Sequence, residues 1–510
     1  MNQTLRSGPL RRLLLRAMCT GLGICTALFA SSVRAEDHLP ASLNVKNFDV
    51  RGDGGKAQSA QIQGAVDACA AAGGCTLVFP AGRYVTGTIF LRDAVHLHLE
   101  PGAVLAASRD PKDYPAPALL YARGLDGVTI SGSGEIQGAP VKDEKDELRL
   151  TALVYAENSI NLRIRNLRLT GAPAYSIALR VVDRAWVENV SIETDTGALS
   201  ASGLALDSSS RISVRGIHYK GGGEGIVLQS NAINGTAPPC EGISISDSTI
   251  TSSTMAFKVG TRSFGPIRQI NVSNLVIARS QGGVGIFARD GGAVEDIQFN
   301  NLQIDTTAVN PKMAEWPLIV DLKRREQESA ASTLRGIRFQ GVQIRTAGKV
   351  VFSGMTHHPI RDLQVEGLRL SVEQRDASGI VAERPWKSAI DQVSGEDSMA
   401  AAIVAGYLAD ATLRDVRVIW QQADPSPEGH ALFLHSSDGI RLDGWHARQA
   451  KKGGTQPAFS LMSSRGVEVR NSTAPPDTGV WLHLQKMQKE DIFTAGNQTA
   501  FAYRELVVAK

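Results

Sequence analysis

The sequence predicts an all-β solenoid, a single-stranded parallel β-helix with a helix capping its N-terminal end. Three observations support this. A short strand pattern, often centred on Asn or Gly, returns about every 25 to 30 residues. Apolar and polar residues alternate within each copy, which is the period of a strand with one buried face. One segment near the start has helical spacing instead. Clear copies of the strand pattern are Ile160–Leu169, Trp186–Ile192, Ile243–Ile250, Ile270–Ile277 and Ile297–Ile304.

The first 35 residues have the pattern of a secretory signal. Three arginines (Arg11, Arg12 and Arg16) precede an apolar stretch, and Val33-Arg34-Ala35 resembles a cleavage site. The apolar stretch is short for a membrane span. We therefore expect one β-helix domain over residues 36–510, in a periplasmic or secreted protein that does not contact a membrane after processing.

Removal of the signal changes the charge of the chain. The formal charge of +3 falls by the five arginines at positions 6, 11, 12, 16 and 34, so the mature chain carries 3 − 5 = −2. This charge does not favour a nucleic-acid partner. The oligomeric state cannot be inferred from the sequence.

The first mature elements can be assigned in order. Residues 58–71 have apolar residues at helical spacing and end near Gly73-Gly74, so we expect a helix that covers the first coil and blocks its strand edges. Residues 76–84 and 95–99 are expected to form the first coils. The segment from about 372 to 400 interrupts the repeat and is predicted to be a long loop over one face.

Three cysteines remain after the signal, and an odd number without repeated spacing argues against a metal site or a disulfide framework. A bridge between Cys69 and Cys75 and separate buried thiols are both compatible with the sequence. No HExxH, GxSxG or P-loop spacing is present, and we predict no metal and no cofactor.

From residue 43 onward the chain resembles the polygalacturonase-like family, glycoside hydrolase family 28. The resemblance lies in the Gly-Asp-Gly turn at 52–54 with the helix after it, in Phe79-Pro-Ala-Gly-Arg-Tyr84, and in Leu97-His-Leu-Glu-Pro-Gly-Ala-Val-Leu105. Tyr175 stands where the family often has an aromatic residue. The resemblance implies a right-handed parallel β-helix and the inverting hydrolysis of polysaccharides that contain galacturonic acid.

The family's catalytic motifs are altered in this chain. Its Asn-Thr-Asp falls on Ser200-Ala201-Ser202, and its Asp-Asp pair falls on Gly223-Glu224. Its Gly-His-Gly falls near Thr254-Met255-Ala256, and its Arg-Ile-Lys falls on Phe287-Ala288-Arg289. One acid and one cation therefore remain at these positions, and the resemblance implies a rearranged active site.

The alternation of strand residues selects side chains that should point outward on consecutive coils. This stripe contains three candidate catalytic acids and four candidate substrate-binding residues: Glu224, Asp207 and Asp290, and Gln229, Lys258, Arg262 and Arg289. Inverting hydrolysis needs two carboxyl groups about 6.5–9.5 Å apart, which neighbouring coils can supply. Cations at aligned positions suit a carboxylate or sulfate ligand. Asp207 and Asp290 could instead be turn residues that bind backbone amides.

These residues leave three functions open. The first is a hydrolase of an acidic, uronate-containing polysaccharide, with Glu224 and either Asp207 or Asp290 as its carboxyl pair. The second is a lyase or epimerase of a uronate polymer, in which Lys258 and Arg289 handle the proton beside the carboxylate. The third is a non-catalytic glycan-binding protein that kept the scaffold.

Overall fold

The computed structural model describes residues 42–309, 314–373, 400–421 and 429–509. The signal predicted for residues 1–35 lies outside these ranges, and so does nearly all of the loop predicted at 372–400. In the described ranges the chain winds as a right-handed parallel β-helix with one α-helix, which confirms the predicted fold class. No helix in these ranges is long and apolar enough to cross a membrane.

Sheet 1 forms one face of the β-helix, and its strands pair in parallel from each coil to the next. Its fifteen described strands are Ile89–Phe90, Ala118–Arg123, Ala152–Glu157, Tyr175–Arg180, Ser202–Asp207, Ile226–Ser230, Met255–Ser263, Gly282–Ala288, Trp316–Leu322, Val350–Ser353, Ala401–Gly406, His430–His435, Pro457–Met462, Thr478–Gln485 and Ala502–Ala509.

Sheet 2 covers the rest of the coil and bends at a corner. The early coils break into two strands there, the coils from Asp183–Glu193 to Thr412–Trp420 continue through it as one strand, and the last three strands end at it. Its described strands are Ser42–Asn44, Thr76–Phe79, Gly82–Thr86, His96–Leu99, Ala103–Ala107, Thr129–Gly132, Glu135–Gln137, Ile160–Arg165, Arg168–Thr170, Asp183–Glu193, Ser210–Gly221, Cys240–Ser252, Ile267–Ser280, Ala293–Thr306, Thr333–Thr346, Ile360–Arg361, Gln364–Val372, Leu408–Ala409, Thr412–Trp420, Asp438–Asp443, Arg465–Arg470 and Ile492–Ala495.

The corner of sheet 2 explains the Asn and Gly residues at the centre of the repeat. From Asn166 onward, each described coil turns there through one left-handed residue, with φ between 49 and 68°, a conformation that Gly, Asn and Asp adopt at the lowest cost. The side chains also bond along the stack: Asn301 donates to Asn274 (2.8 Å) and Asn274 to Asp247 (2.9 Å). The corner residues are Asn166, Asn189, Gly216, Asp247, Asn274, Asn301, Gly341, Gly367, Asp415, Gly444, Asn471 and Gly496.

The core lies inside the coils, where residues of the same type stack on one another from coil to coil. Ile243, Ile270, Ile297 and Ile337 occupy one register position on four successive coils, and each is at most 2% exposed. A second stack contains aromatic rings, including Phe299 on Phe339 at 4.9 Å between centroids. This inward stacking leaves every alternate residue of sheet 1 on the outside, where a site can form.

The predicted capping helix is Ser59–Ala71, and it packs on the first coil through buried Ile62, Val66 and Cys69. Cys69 forms a disulfide with Cys75 at the start of the next strand, so the bridged alternative holds for this pair. Cys240 is a buried thiol, and burial raises its pKa to about 12.

The Asn274 corner allows a direct test of the stacking constraint. We expect Asn274→Ala to lower the thermal unfolding midpoint, because alanine pays about 1–2 kcal/mol for the left-handed conformation and loses about 1 kcal/mol of hydrogen bonding. Asn274→Gly is the matched control, since it removes the same hydrogen bonds without the backbone cost. Equal midpoints for the two variants would contradict the conformational role of the corner.

Candidate active site

Three rows of outward side chains run side by side along sheet 1. The first row contains Tyr175, Ser202 and Glu224, which lie at the beginnings of successive strands. The middle row is Tyr121, Tyr155, Ala178, Ala205, Val227 and Lys258, joined by strand register. The third row is Arg123, Glu157, Arg180, Asp207 and Gln229. The small residues of the middle row form a floor between two polar rows.

Glu224 lies at the centre of the polar groups. Ser202 Oγ donates to its Oε2 at 2.9 Å, and Lys258 Nζ lies 3.4 Å from its Oε1. The side chains of Glu224 and Lys258 are only 12% and 10% exposed, so water screens the pair weakly. Donors on both oxygens favour the charged carboxylate.

Tyr175 is two coils away from Glu224 in the first row, so the backbones at these positions are about 10 Å apart. Burial is the largest cause that raises the pKa of the Tyr175 phenol. Arg262 and Lys258 lower this pKa in part, whereas Glu224 and Asp207 raise it further. The Tyr175 phenol therefore interacts electrostatically with four of the candidate residues predicted from the sequence.

Arg262 reaches the site because its strand bulges. Opposite the segment Leu228–Ser230, which has one intervening residue, the partner strand has three between Val259 and Ser263. A bulge re-aims the side chains of the longer strand. Arg262 is exposed there, and Gln229 on the shorter strand is half-buried next to Asp207 in the third row.

Asp207 makes the backbone contacts expected of a turn residue, which was the alternative to a catalytic role. Its carboxylate accepts from the Asn231 backbone amide at 3.1 Å and from the Asn231 side chain at 2.8 Å. Arg180 Nε lies 3.7 Å from its Oδ2. Ser202, which faces Glu224, precedes Asp207 by five strand residues, so the backbones at Asp207 and Glu224 are about 16 Å apart along the strand. This backbone spacing is wider than the distance of about 6.5–9.5 Å between the carboxyl groups of an inverting hydrolase.

Asp290 forms a structural ion pair outside the polar rows. Arg325 binds its two oxygens at 2.5 and 2.8 Å, the Ser263 backbone amide donates to it at 3.0 Å, and its side chain is 2% exposed. The sequence could not show this partner because Arg325 is 35 residues away. The contacts match the turn interpretation of Asp290 and leave it distant from Glu224.

Arg289 was expected to point outward, and its guanidinium lies 5.3 Å from the ring centroid of Phe287 on the outer face, but other residues cover it completely. Its side chain is fully buried and binds Asp321 Oδ2 at 2.5 Å and the Asp321 carbonyl at 3.0 Å. The alternation predicted the direction of Arg289 but could not show the contact with Asp321, which is 32 residues away. A substrate-binding role for Arg289 stays a prediction that its burial argues against.

Sequence reasoning missed several members of the rows. Tyr121 and Tyr155 stack with their ring centroids 5.7 Å apart and their planes 7° apart, and Tyr121 donates to Glu157 at 2.5 Å. Arg180 lies beside them in the third row. The spacing of 34 residues between the tyrosines could have revealed the stack once their strands were aligned.

Two hollows lie away from the rows. One of about 460 Å³ is on sheet 2 and contains Val276, Gln303 and Arg345 among its lining residues. Another of about 320 Å³ contains His357 and Tyr407. Neither contains an acid and a cation from the rows on sheet 1. Among the described residues, no three His, Cys, Asp or Glu side chains group as metal ligands would.

Fold and site together define a β-helix protein with an acid, a phenol and cations on the outward face of one sheet. The chain belongs to a known family of this architecture. The profile of "Glycosyl hydrolases family 28" matches residues 69–384, which is more than half of the chain. The resemblance found in the sequence is thereby confirmed.

The relatives whose names state an activity match this chain over a short segment or at low sequence identity. An exo-poly-α-D-galacturonosidase of Dickeya chrysanthemi is 34% identical over 144 residues, so the alignment spans about a quarter of either chain (24% of each). A probable polygalacturonase of Vitis vinifera is 22% identical over 74% of this chain and 87% of its own.

Solved structures of family 28 proteins have the same fold. The exopolygalacturonase of Yersinia enterocolitica superposes with a TM-score of 0.58 at 15% identity, over 79% of each chain. The polygalacturonase of Erwinia carotovora ssp. carotovora gives 0.55 at 18% identity, over 66% of this chain and 95% of its own. At these identities the likeness concerns the fold.

The structural role of Asp290 predicts a loss of stability. We expect Asp290→Asn to cost about 2 kcal/mol, because it breaks an ion pair whose acid is buried and whose Arg325 side chain is 25% exposed. Thermal unfolding of the purified variant measures this. The matched control is Asp438→Asn, which breaks the exposed two-point pair with Arg465 and should cost less than about 1 kcal/mol. Similar midpoints for the two variants would contradict the structural role.

Proposed function

We propose that this protein is a family 28 glycoside hydrolase that cleaves an acidic, pectin-like polysaccharide with a rearranged active site. The observation that carries the proposal is the half-enclosed group of Glu224, Lys258 and Tyr175 on the outward face of sheet 1. The names of the Dickeya and Vitis relatives support galacturonate-containing substrates.

Glu224 is proposed as the general base. The Ser202 hydroxyl and the Lys258 ammonium both stabilise its charged form, and a carboxylate in that form can accept a proton from water. In an inverting reaction that water attacks the anomeric carbon on the face opposite the leaving oxygen. Ser202 also fixes the orientation of the carboxylate.

Tyr175 is proposed as the proton donor in place of a second carboxylic acid. Asp207 lies too far along the strand to fill that role, and Asp290 is bound to Arg325. The phenol is protonated at neutral pH and can donate to the leaving oxygen, although burial raises its pKa and makes it a weaker acid. Water gives its hydroxyl to the anomeric carbon and a proton to Glu224, and transfer of that proton through solvent to the Tyr175 phenolate restores both groups.

Lys258 and Arg262 are proposed to bind the substrate carboxylates. Both cations act on the same phenol, so both lie close to the reacting position. Arg262 is exposed and can meet a uronate directly, whereas Lys258 is mostly covered and is paired with Glu224. Gln229 adds a neutral polar group on the other side of the floor.

The proposal predicts that Glu224→Gln and Tyr175→Phe each lower kcat on polygalacturonate at least about 100-fold, because each removes a proton-transfer group. A reducing-end assay measures this. The phenol keeps its proton below its raised pKa, so activity that depends on it should persist through neutral pH and fall only on the alkaline side of about 10.

The matched control is Glu193→Gln, which changes an exposed acid on sheet 2 that pairs with Arg168. It should keep full activity. Full activity in Glu224→Gln would refute the assignment of the base, and full activity in Tyr175→Phe would refute the assignment of the donor.

A lyase is the second candidate, and the wide spacing of the carboxylates favours it. Elimination needs a cation to stabilise charge beside the uronate carboxylate and a group that takes one proton, and it does not need two acids. Glu224 could take the proton, Lys258 and Arg262 could stabilise the charge beside the carboxylate, and Tyr175 could donate to the leaving oxygen. A lyase makes an unsaturated product that absorbs ultraviolet light, a hydrolase makes reducing ends without it, and an epimerase does neither.

Export is also proposed, on the signal pattern of residues 1–35 and on the disulfide Cys69–Cys75, which suits an oxidising compartment. Expression of the full chain in a bacterium followed by cell fractionation checks this. We expect a periplasmic or secreted product whose mass corresponds to a chain beginning at Glu36. Retention of the whole, unprocessed chain in the cytoplasm would contradict export.

A further inference from the structure

The hollow of about 320 Å³ lies on the late coils, at the corner where sheet 1 ends and sheet 2 begins. Its lining includes His357 and Pro359 from one coil, Tyr407 from the next coil and Ser436 from the coil after that. Glu224 precedes a strand five coil steps earlier, and steps of about 4.8 Å place the two at least about 24 Å apart. The hollow is therefore separate from the proposed active site.

Tyr407 has an unfavourable backbone conformation that the fold does not require of a tyrosine. Its φ of 52° is in the left-handed region, which is unfavourable for a residue with a side chain. Register places Ser436 and Ser463 at the same corner position on the next two coils, so a small residue suffices there. His357, which lines the same hollow, is also left-handed, with a φ of 66°. Residues in such conformations cluster at ligand sites.

The Tyr407 ring is held in place beside the hollow. The imidazole of His435 packs edge-on against it, with 5.3 Å between the ring centroids and 83° between the ring planes. Tyr407 is only half-buried, so part of its side chain remains accessible. An aromatic ring that is fixed and accessible suits contact with the apolar face of a sugar.

The charged groups that line the hollow are in ion pairs. Arg361 Nη1 lies 3.8 Å from Asp410 Oδ2. Asp438 accepts from Arg465 at 2.9 and 2.7 Å. These pairs supply hydrogen-bond donors and acceptors without an excess of either charge. The hollow therefore suits an uncharged ligand with several hydroxyl groups better than it suits a uronate.

We propose that this hollow is a second glycan-binding site, which takes an uncharged sugar unit of the polysaccharide with Tyr407 against the apolar face of the sugar. The choice of a sugar rests on the proposed function, whereas the hollow lies outside the proposed active site. Its volume is at the small end of ligand sites, which suits a short unit and not a long chain. A polysaccharide with an acidic backbone and uncharged branches would then be bound at two places, by a branch here and by its uronates beside Glu224.

Affinity electrophoresis with two polysaccharides tests the second site. The protein carries Glu224→Gln to prevent cleavage, and the gels contain either polygalacturonate or a pectin with galactose and arabinose branches. We expect about fivefold tighter binding to the branched pectin, because its branches offer uncharged sugars to the Tyr407 ring. Adding Tyr407→Asn should reduce this preference to less than twofold, and adding Tyr407→Phe should preserve it because the ring remains.

Asparagine is the suitable replacement for Tyr407 because it adopts the left-handed conformation readily. The variant should therefore fold, and its thermal unfolding midpoint should stay close to that of the parent protein. No preference for the branched pectin in the protein that contains Tyr407, or an unchanged preference in Tyr407→Asn, would overturn the inference.

Cleavage of a galacturonate trimer separates the failure of this inference from the failure of the proposed function. With Glu224 present, Tyr407→Asn should leave kcat and KM on the trimer within about twofold, because the second site is remote. A larger loss would place Tyr407 in the active site and overturn the inference. A preference that depends on Tyr407, in a protein that cleaves no polysaccharide, would refute the hydrolase and retain the second site. Cleavage of the trimer without such a preference would retain the hydrolase and overturn the second site.

Discussion

The structure depends on the in-register stacking of coils, which the left-handed corner of sheet 2 maintains. Because each coil turns through one Asn, Asp or Gly at the same register position, strands of equal phase pair from Asn166 to Gly496. A shift of one residue would exchange the inward and outward faces of a strand. The rows on sheet 1 exist because no such shift occurs between Tyr121 and Lys258.

Among the described strands of sheet 1, one departs markedly from this register, and it contributes a residue to the site. The bulge between Val259 and Ser263 interrupts the pairing just beyond Lys258 and presents Arg262. A charged side chain that is fully buried forms an ion pair, as Arg289 does with Asp321. Glu224 and Lys258 are intermediate between exposed Arg262 and fully buried Arg289, since they form an ion pair and keep some access to solvent. A weakly screened pair of this kind orients a carboxylate for chemistry at a modest desolvation cost.

The sequence predicted what depends on local pattern. The period of the repeat predicted the β-helix, and the helical spacing predicted the helix Ser59–Ala71. The alternation of apolar and polar residues predicted that Glu224 and Lys258 lie on the outward face. It failed where a contact spans distant residues. The partners of Arg289, Asp290 and Tyr121 lie 32, 35 and 34 residues away. The three rows on sheet 1 need the register of several coils at once, which no single repeat contains.

A crystal structure of the Glu224→Gln variant with a galacturonate trimer tests the central claim most directly. The rows on sheet 1 predict that the trimer lies beside residue 224, with a uronate carboxylate on Arg262 or Lys258. A trimer bound in the sheet 2 hollow at Val276 and Arg345, or no trimer on sheet 1 at saturating concentration, would contradict it.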